Sequence, residues 1–215
     1  MEIDLFDQTA NKIFDTKTYE DFRQVFLGEA CTKCRLSKTR TNLVVDRGNP
    51  NAKVVMIGEG PGADEDAQGK AFVGRAGRLM DDMFKTVGMD TNEVTLILNV
   101  VKCRPPENRQ PAADEAQSCL PYLKKQLKLV EPKVIVLLGA TAVKHILGKR
   151  EIGSMESVVG QFFTTEDFPN AKLVVLYHPA FILRDPRKRP IFEGHLKQLK
   201  SFLMEHELLP DKAKQ

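Results

Sequence analysis

Lys53-Val54-Val55-Met56-Ile57-Gly58-Glu59-Gly60-Pro61-Gly62 is a short apolar run that ends in glycines and an acid. Hydrophobicity at consecutive positions, without alternation, marks a strand buried on both faces, as in a parallel sheet. Glu93 to Val101, Lys133 to Gly139 and Lys172 to Tyr177 share the pattern. Between these segments apolar residues recur at helical spacing: Leu79, Met80, Met83, Phe84 and Val87 make one face, and Ala116, Leu120, Leu123, Leu127 and Val130 a second. Further helices are expected from about Ala140 to Leu147 and from about Ile191 to Leu203. This alternation predicts an α/β fold, a three-layer α/β/α sandwich around a four-stranded, mainly parallel sheet. Residues 1–50, with Phe22, Val25 and Phe26 at helical spacing, are expected to add helices beside that sheet.

The chain has 215 residues, 42% hydrophobic and 28% charged, and carries a formal charge of +3. One domain spanning 1–215 is expected, with a core large enough to need no disulfide staples. The charge excess is too mild to specify nucleic acid by itself, so its distribution must decide. No apolar run approaches the roughly 18 residues of a membrane span, and after Met1-Glu2-Ile3-Asp4 no basic segment is followed by an apolar one, so a secretory signal is not expected. A cytoplasmic protein is expected, with its four cysteines reduced or bound to a metal.

In open α/β sheets chemistry gathers at the carboxyl ends of the strands. Here those ends run into Gly58-Glu59-Gly60-Pro61-Gly62-Ala63-Asp64-Glu65-Asp66, through Asn99 toward Cys103 and Asn108, into Gly139-Ala140-Thr141, and into His178-Pro179-Ala180-Phe181. The glycine loop lacks the Lys-Ser/Thr of a P-loop and the G-x-G-x-x-G spacing of dinucleotide folds, which disfavours a nucleotide cofactor. Its acids read either as a solvated helix start or as carboxylates at a site. Phe72, set among glycines and polar neighbours, is either a loop plug or a stacking surface for a planar ligand. His178 either caps a turn or donates to a ligand. Arg184, Arg187, Lys188 and Arg189 follow it, behind the apolar Phe181-Ile182-Leu183. Apolar wedges beside phosphate-binding cations suit a protein that draws a base out of DNA; the plain alternative is a packed turn with surface charge.

Cys31 and Cys34 form a C-x2-C pair, with Cys103 and Cys119 downstream. Four thiolates at one site suit tetrahedral zinc or a [4Fe–4S] cluster equally; four unrelated buried thiols are the alternative. Lys33, Arg35, Lys38, Arg40, Lys102 and Arg104 crowd the cysteines and would offset an anionic centre.

The chain resembles the family 4 (iron–sulfur) uracil-DNA glycosylases of bacteria and archaea. The matching stretches are Cys31-Thr-Lys-Cys34, Gly58-Glu-Gly-Pro-Gly62 with Glu65-Asp66, Phe72-Val-Gly-Arg-Ala-Gly77, Asn99-Val-Val-Lys-Cys103-Arg-Pro-Pro106, Asn108-Arg109, Cys119 with Pro121-Tyr-Leu123, and His178-Pro179. The resemblance implies a [4Fe–4S] cluster on Cys31, Cys34, Cys103 and Cys119, a three-layer α/β/α fold and removal of uracil from DNA; the expected partner is uracil-containing DNA, single- or double-stranded, and a monomer is expected. Ala180 stands where many relatives have Ser, and Gly153 to Gly160 is acidic or neutral where relatives often carry arginine. The stretch between Cys103 and Cys119 is short and lacks histidine, unlike a related group that captures DNA covalently, so a turnover enzyme is expected.

Hydrolysis of an N-glycosidic bond needs charge stabilisation on the departing base and a carboxylate near the sugar. His178 suits the first need, and Glu59 and Glu65 are the candidates for the second. Asn99 would present its amide to the uracil edge, Phe72 would stack on the ring, and Gly60, Pro61 and Asn108 would complete the base site. Arg184, Arg187, Lys188 and Arg189 would meet phosphates. A non-catalytic nucleic-acid-binding module would leave the strand-end acids without a purpose, and an electron carrier would explain only the cysteines.

Overall fold

The computed structural model describes residues 12–147 and 154–210. Residues 1–11 of the expected N-terminal helical segment, and Gly153 at the start of the arginine-free stretch, lie outside the described residues.

Four parallel strands form the middle of the sheet: β2 (Val54–Gly58), β3 (Thr95–Asn99), β4 (Val134–Leu138) and β6 (Phe168–Leu176). The expected count of four needs correction, because two antiparallel edges bring the sheet to six, in the order β1-β3-β2-β4-β6-β5. Strand β1 (Arg47–Gly48) pairs with β3, and β5 (Phe162–Thr165) pairs with β6. Both edges lack a buried apolar run. Two-residue β1 is instead tied by Arg47, whose guanidinium grips Asp81 at 2.6 and 2.9 Å.

Side chains alternate across the strands with period 2, which sorts them into two cores. Val55, Ile57, Leu96, Leu98, Ile135 and Leu137 face a layer that includes α1 (Tyr19–Gly28) and α5 (Ala113–Val130). Val54, Met56, Ile97, Val136 and Leu176 face the opposite layer, with α3 (Arg75–Thr86) and α9 (Arg189–Glu205). Phe22 and Phe26 of α1 are fully buried. At about 1.5–3 kcal/mol for each large side chain removed from water, α1 is part of the core rather than an appendage. Thr18 caps this helix by accepting from the Asp21 N–H at 3.1 Å.

Register fixes the functional edge. Gly58 lies opposite Asn99, and Leu138 opposite Leu176, so the parallel strands end together. From β2 the chain crosses to β3 on one side, whereas β4 is followed by β6 on the other. The loops after β2 and β4 therefore diverge and leave a crevice between them, the place where such sheets bind ligands.

Candidate active site and thiol site

At this crevice lies a cavity of about 770 Å³. Its walls include Glu59, Gly60, Pro61, Glu65, Phe72, Asn108, His178 and Arg184. Of the other residues singled out in the sequence, Asn99 is buried beside this wall, whereas Arg187, Lys188 and Arg189 stand outside it.

Asn99 ends β3 and is 1% exposed, yet neither its Oδ1 nor its Nδ2 has a hydrogen-bond partner. A buried amide left unpaired costs about 1–3 kcal/mol, so this one stands ready for a ligand that supplies partners. Gly58 makes room for it: a Cβ there would sit 2.5 Å from the Phe72 ring and 2.7 Å from Asn99 Oδ1.

Phe72 lies on the loop between α2 (Ala63–Gln68) and α3, with a left-handed φ of 54°. That conformation is strained for an aromatic residue and persists only where the surroundings enforce it. The backbone of α3 presses on it so closely that a Cβ at Gly77 would overlap the Phe72 carbonyl, at 1.8 Å. The Phe72 ring lies 5.6 Å from the His178 ring, tilted by 38°.

The two glutamates are held differently. Glu65 accepts the Gly74 N–H at 2.7 Å on Oε1 and the Gly62 N–H at 3.1 Å on Oε2. Both oxygens are engaged, and the carboxylate clasps the glycine loop to the start of α3. Glu59 has one engaged oxygen, Oε2, which accepts from the hydroxyl of Thr141.

His178 caps the helix α8 (Pro179–Arg184), its Nδ1 accepting the Ala180 N–H at 3.1 Å. Burial, with Arg184 adding to it, holds the imidazole pKa down at about 4. The ring is therefore neutral near pH 7, and because Nδ1 is an acceptor its proton resides on Nε2. Asn108 sits at φ 56°, its Oδ1 accepting from Arg104 Nε at 2.7 Å, which leaves its NH2 group for another partner.

Among the cations, Arg187 pairs with Asp185 at 2.7 Å and Arg189 with Glu193 at 3.2 Å. Exposed pairs of this kind are worth about 0–1 kcal/mol, too little to withhold either arginine from a phosphate. Lys188 Nζ stands 5.7 Å over the Tyr177 ring, and Arg184 is at the cavity itself.

Cys31, Cys34, Cys103 and Cys119 line one small pocket with Arg40, Lys102 and Tyr122. Arg40 donates to Cys103 Sγ at 3.1 Å, and the Lys102 N–H to Cys119 Sγ at 3.3 Å. Burial raises the Cys103 and Cys119 thiols to about 11 and about 12, so a metal would have to displace their protons. Among the described residues no group of three or more His, Cys, Asp or Glu side chains stands ready as a ligand set. The donor chemistry nonetheless fits a four-thiolate centre: four sulfurs share one pocket, with donors already directed at two of them.

Thr141 and Gly139 had no role on sequence grounds, and Lys102, expected only to offset charge at the cysteines, also reaches the base site. Lys102 is completely buried, its Nζ donating to the Asn99 main-chain oxygen at 2.8 Å. Thr141 holds Glu59, and Gly139 packs on His178, where a Cβ would come within 2.9 Å of the histidine Cβ. The one sequence signal for the last two was their position at a strand end.

Residues 45–202 match the family model of the uracil DNA glycosylase superfamily, and the chain belongs to that superfamily. Within it, the chain is similar to the type-4 uracil-DNA glycosylase of Archaeoglobus fulgidus, 40% identical over 173 residues, 79% of this chain and 86% of that one. It is likewise similar to that of Sulfurisphaera tokodaii, 40% identical over 176 residues, covering 80% of this chain and 79% of the relative. The type-4 enzyme of Thermotoga maritima is 38% identical over 175 residues, 80% of this chain and 89% of its own.

Proposed function

We propose that this chain hydrolyses the N-glycosidic bond of uracil in DNA and leaves an abasic site for base excision repair. It is a uracil-DNA glycosylase, a hydrolase of N-glycosyl bonds that acts on DNA, as its superfamily and its type-4 relatives indicate. The observation that carries the assignment of base is the unpartnered, buried amide of Asn99 beside Phe72. With Nδ2 toward O4 and Oδ1 toward N3–H the amide complements the uracil edge, and the same orientation sets donor against donor and acceptor against acceptor on cytosine.

His178 donates from Nε2 to a carbonyl oxygen of the base as negative charge grows there. A neutral donor already oriented by Ala180 stabilises that charge without reorganisation. Glu59 keeps one carboxylate oxygen for the attacking water or the cationic sugar. Glu65, with both oxygens on backbone N–H groups, positions the glycine loop instead. Phe72 stacks on the base, while Gly60, Pro61 and Asn108 shape its site. Arg184, Arg187, Lys188 and Arg189 meet the phosphates of single- or double-stranded DNA.

Cys31, Cys34, Cys103 and Cys119 would hold the [4Fe–4S] cluster. Bound there, it would supply a structural cross-link between the N-terminal segment, the exit of β3 and α5. Two cores sharing one sheet support reading residues 1–215 as a single glycosylase domain; a monomer acting inside the cell is part of the same proposal. Among the described residues, no helix is long and apolar enough to cross a membrane.

The test is strand cleavage by alkali after incubation with oligonucleotides carrying one uracil, single- and double-stranded, beside thymine and cytosine controls. Cleavage at uracil alone supports the reading, and intact uracil strands refute it.

A further inference from the structure

The turn that leaves β4, Gly139-Ala140-Thr141, lies between the two groups assigned to chemistry. Strand β4 is hydrogen-bonded to β2 on one side and to β6 on the other. Glu59 directly follows β2, and His178 follows β6 after Tyr177. What β4 places at its end therefore separates the acid from the histidine. Gly139, at φ 80°, backs onto His178 so closely that only glycine fits. Two residues on, Thr141 donates its hydroxyl to Glu59 Oε2.

We infer that Thr141 is a positioning residue for excision: its hydroxyl fixes the Glu59 carboxylate so that the other oxygen faces the attacking water or the sugar. The inference rests on the reading of Glu59 given above. A hydroxyl has one proton to donate, and here it goes to Glu59. A carboxylate on an unrestrained glutamate can rotate, whereas one oxygen pinned at Oε2 limits where Oε1 points. Threonine suits this task because branching at Cβ restricts χ1, so the donor is itself stiffly held. Thr141 stands at the start of α6 (Gly139–Leu147), a regular element, which keeps its own position defined. Its hydroxyl is bound to Glu59 and it lines the cavity, so it acts through the acid rather than on the base.

The test is a double-mutant cycle under single-turnover conditions with saturating enzyme, together with the Kd for uracil-containing DNA and a melting curve for each variant. Thr141→Val keeps the shape and removes the hydroxyl. It should slow excision roughly 10- to 100-fold with DNA affinity and melting temperature near those of the wild type, less than the roughly 10²–10³-fold for a donor that touches the reacting group, because Thr141 acts through Glu59. Thr141→Ser keeps the hydroxyl and should recover most of the rate. In a Glu59→Gln background Thr141→Val should add little further loss, because both changes disable the same group. A wild-type rate for Thr141→Val beside an impaired Glu59→Gln would overturn the inference and leave Glu59 standing. An equal loss in both backgrounds, or no recovery with Ser, would also overturn it by showing a role in packing alone. A wild-type rate for Glu59→Gln would instead remove the reading of Glu59, whatever Thr141→Val did.

Discussion

The backbone N–H of Ala180 donates to Nδ1 of His178 at 3.1 Å, which leaves Nε2–H as the donor of the imidazole. One main-chain bond thus selects the tautomer. The same ring is kept neutral by burial and by Arg184. His178→Ala should slow excision about 10²–10³-fold with little change in DNA affinity, the range for losing one oxyanion donor. Replacing uracil by 5-fluorouracil, a better leaving base, should rescue His178→Ala far more than Glu59→Gln. Equal rescue in single-turnover assays would show the two roles to be wrongly divided.

The neutral ring also has a signature in stability. The folded pKa of His178 is about 4, against roughly 6.5 for an unfolded histidine. Between those values the unfolded chain binds the proton more readily. The contribution of His178 is therefore complete above about pH 6.5 and is lost as pH falls toward 4. Urea unfolding across this window should show His178→Ala with a shallower dependence on pH than the wild type; parallel curves would refute it.

Asn99 can be tested by changing what it offers. Asn99→Asp replaces the amide donor with acceptor oxygens and so favours the N4 amine of cytosine. Uracil excision should fall by about 2–4 kcal/mol in activation free energy, the cost of an oriented donor. An unaltered uracil rate would rule out Asn99 as the reader of the base.

Glu59 and Glu65 should part company when each becomes glutamine. Glu65→Gln sets an NH2 group against one of two backbone N–H donors, those of Gly62 and Gly74. It should lower stability by about 1–3 kcal/mol, the cost of an unsatisfied buried group, measurable as a lower denaturation midpoint. Glu59→Gln should leave the midpoint unchanged and slow the chemical step. The reverse pattern would exchange their roles.

Protein purified without air should be brown and contain iron, with Cys103→Ser losing both colour and folding or DNA affinity before it loses chemistry. Zinc with no iron in that preparation would refute the cluster.

The central strands were legible because strands buried on both faces must be apolar throughout, as Val134–Leu138 is. The edges were not. Arg47 and Gly48 carry no hydrophobic pattern, and β6 begins at Phe168 rather than Lys172 because its first residues pair with β5 in a hairpin. Within the site, residue types at strand ends announced Glu59, Asn99 and His178. Their division of labour was hidden, because it depends on bonds across the fold. Glu65 is clasped by Gly74, nine positions on, and Glu59 by Thr141, 82 positions on. Neither spacing belongs to a local motif.

The exit of β3 serves two sites with one short piece of chain. Asn99 meets the base site and Cys103 the thiol pocket, while Lys102 between them bonds back to Asn99 through its side chain and to Cys119 through its backbone. An inserted residue anywhere from Val100 to Lys102 would displace one end by up to about 3.8 Å, the step between adjacent Cα atoms. Either the amide would leave Gly58 or the sulfur would leave its neighbours. Past Pro105 the chain is exposed, from Pro106 to Gln110. That exposure leaves room for a change of length there only where Asn108 stays at the cavity and Arg109 on Glu115, whereas the length of the segment from Asn99 to Cys103 is fixed by the two sites at its ends.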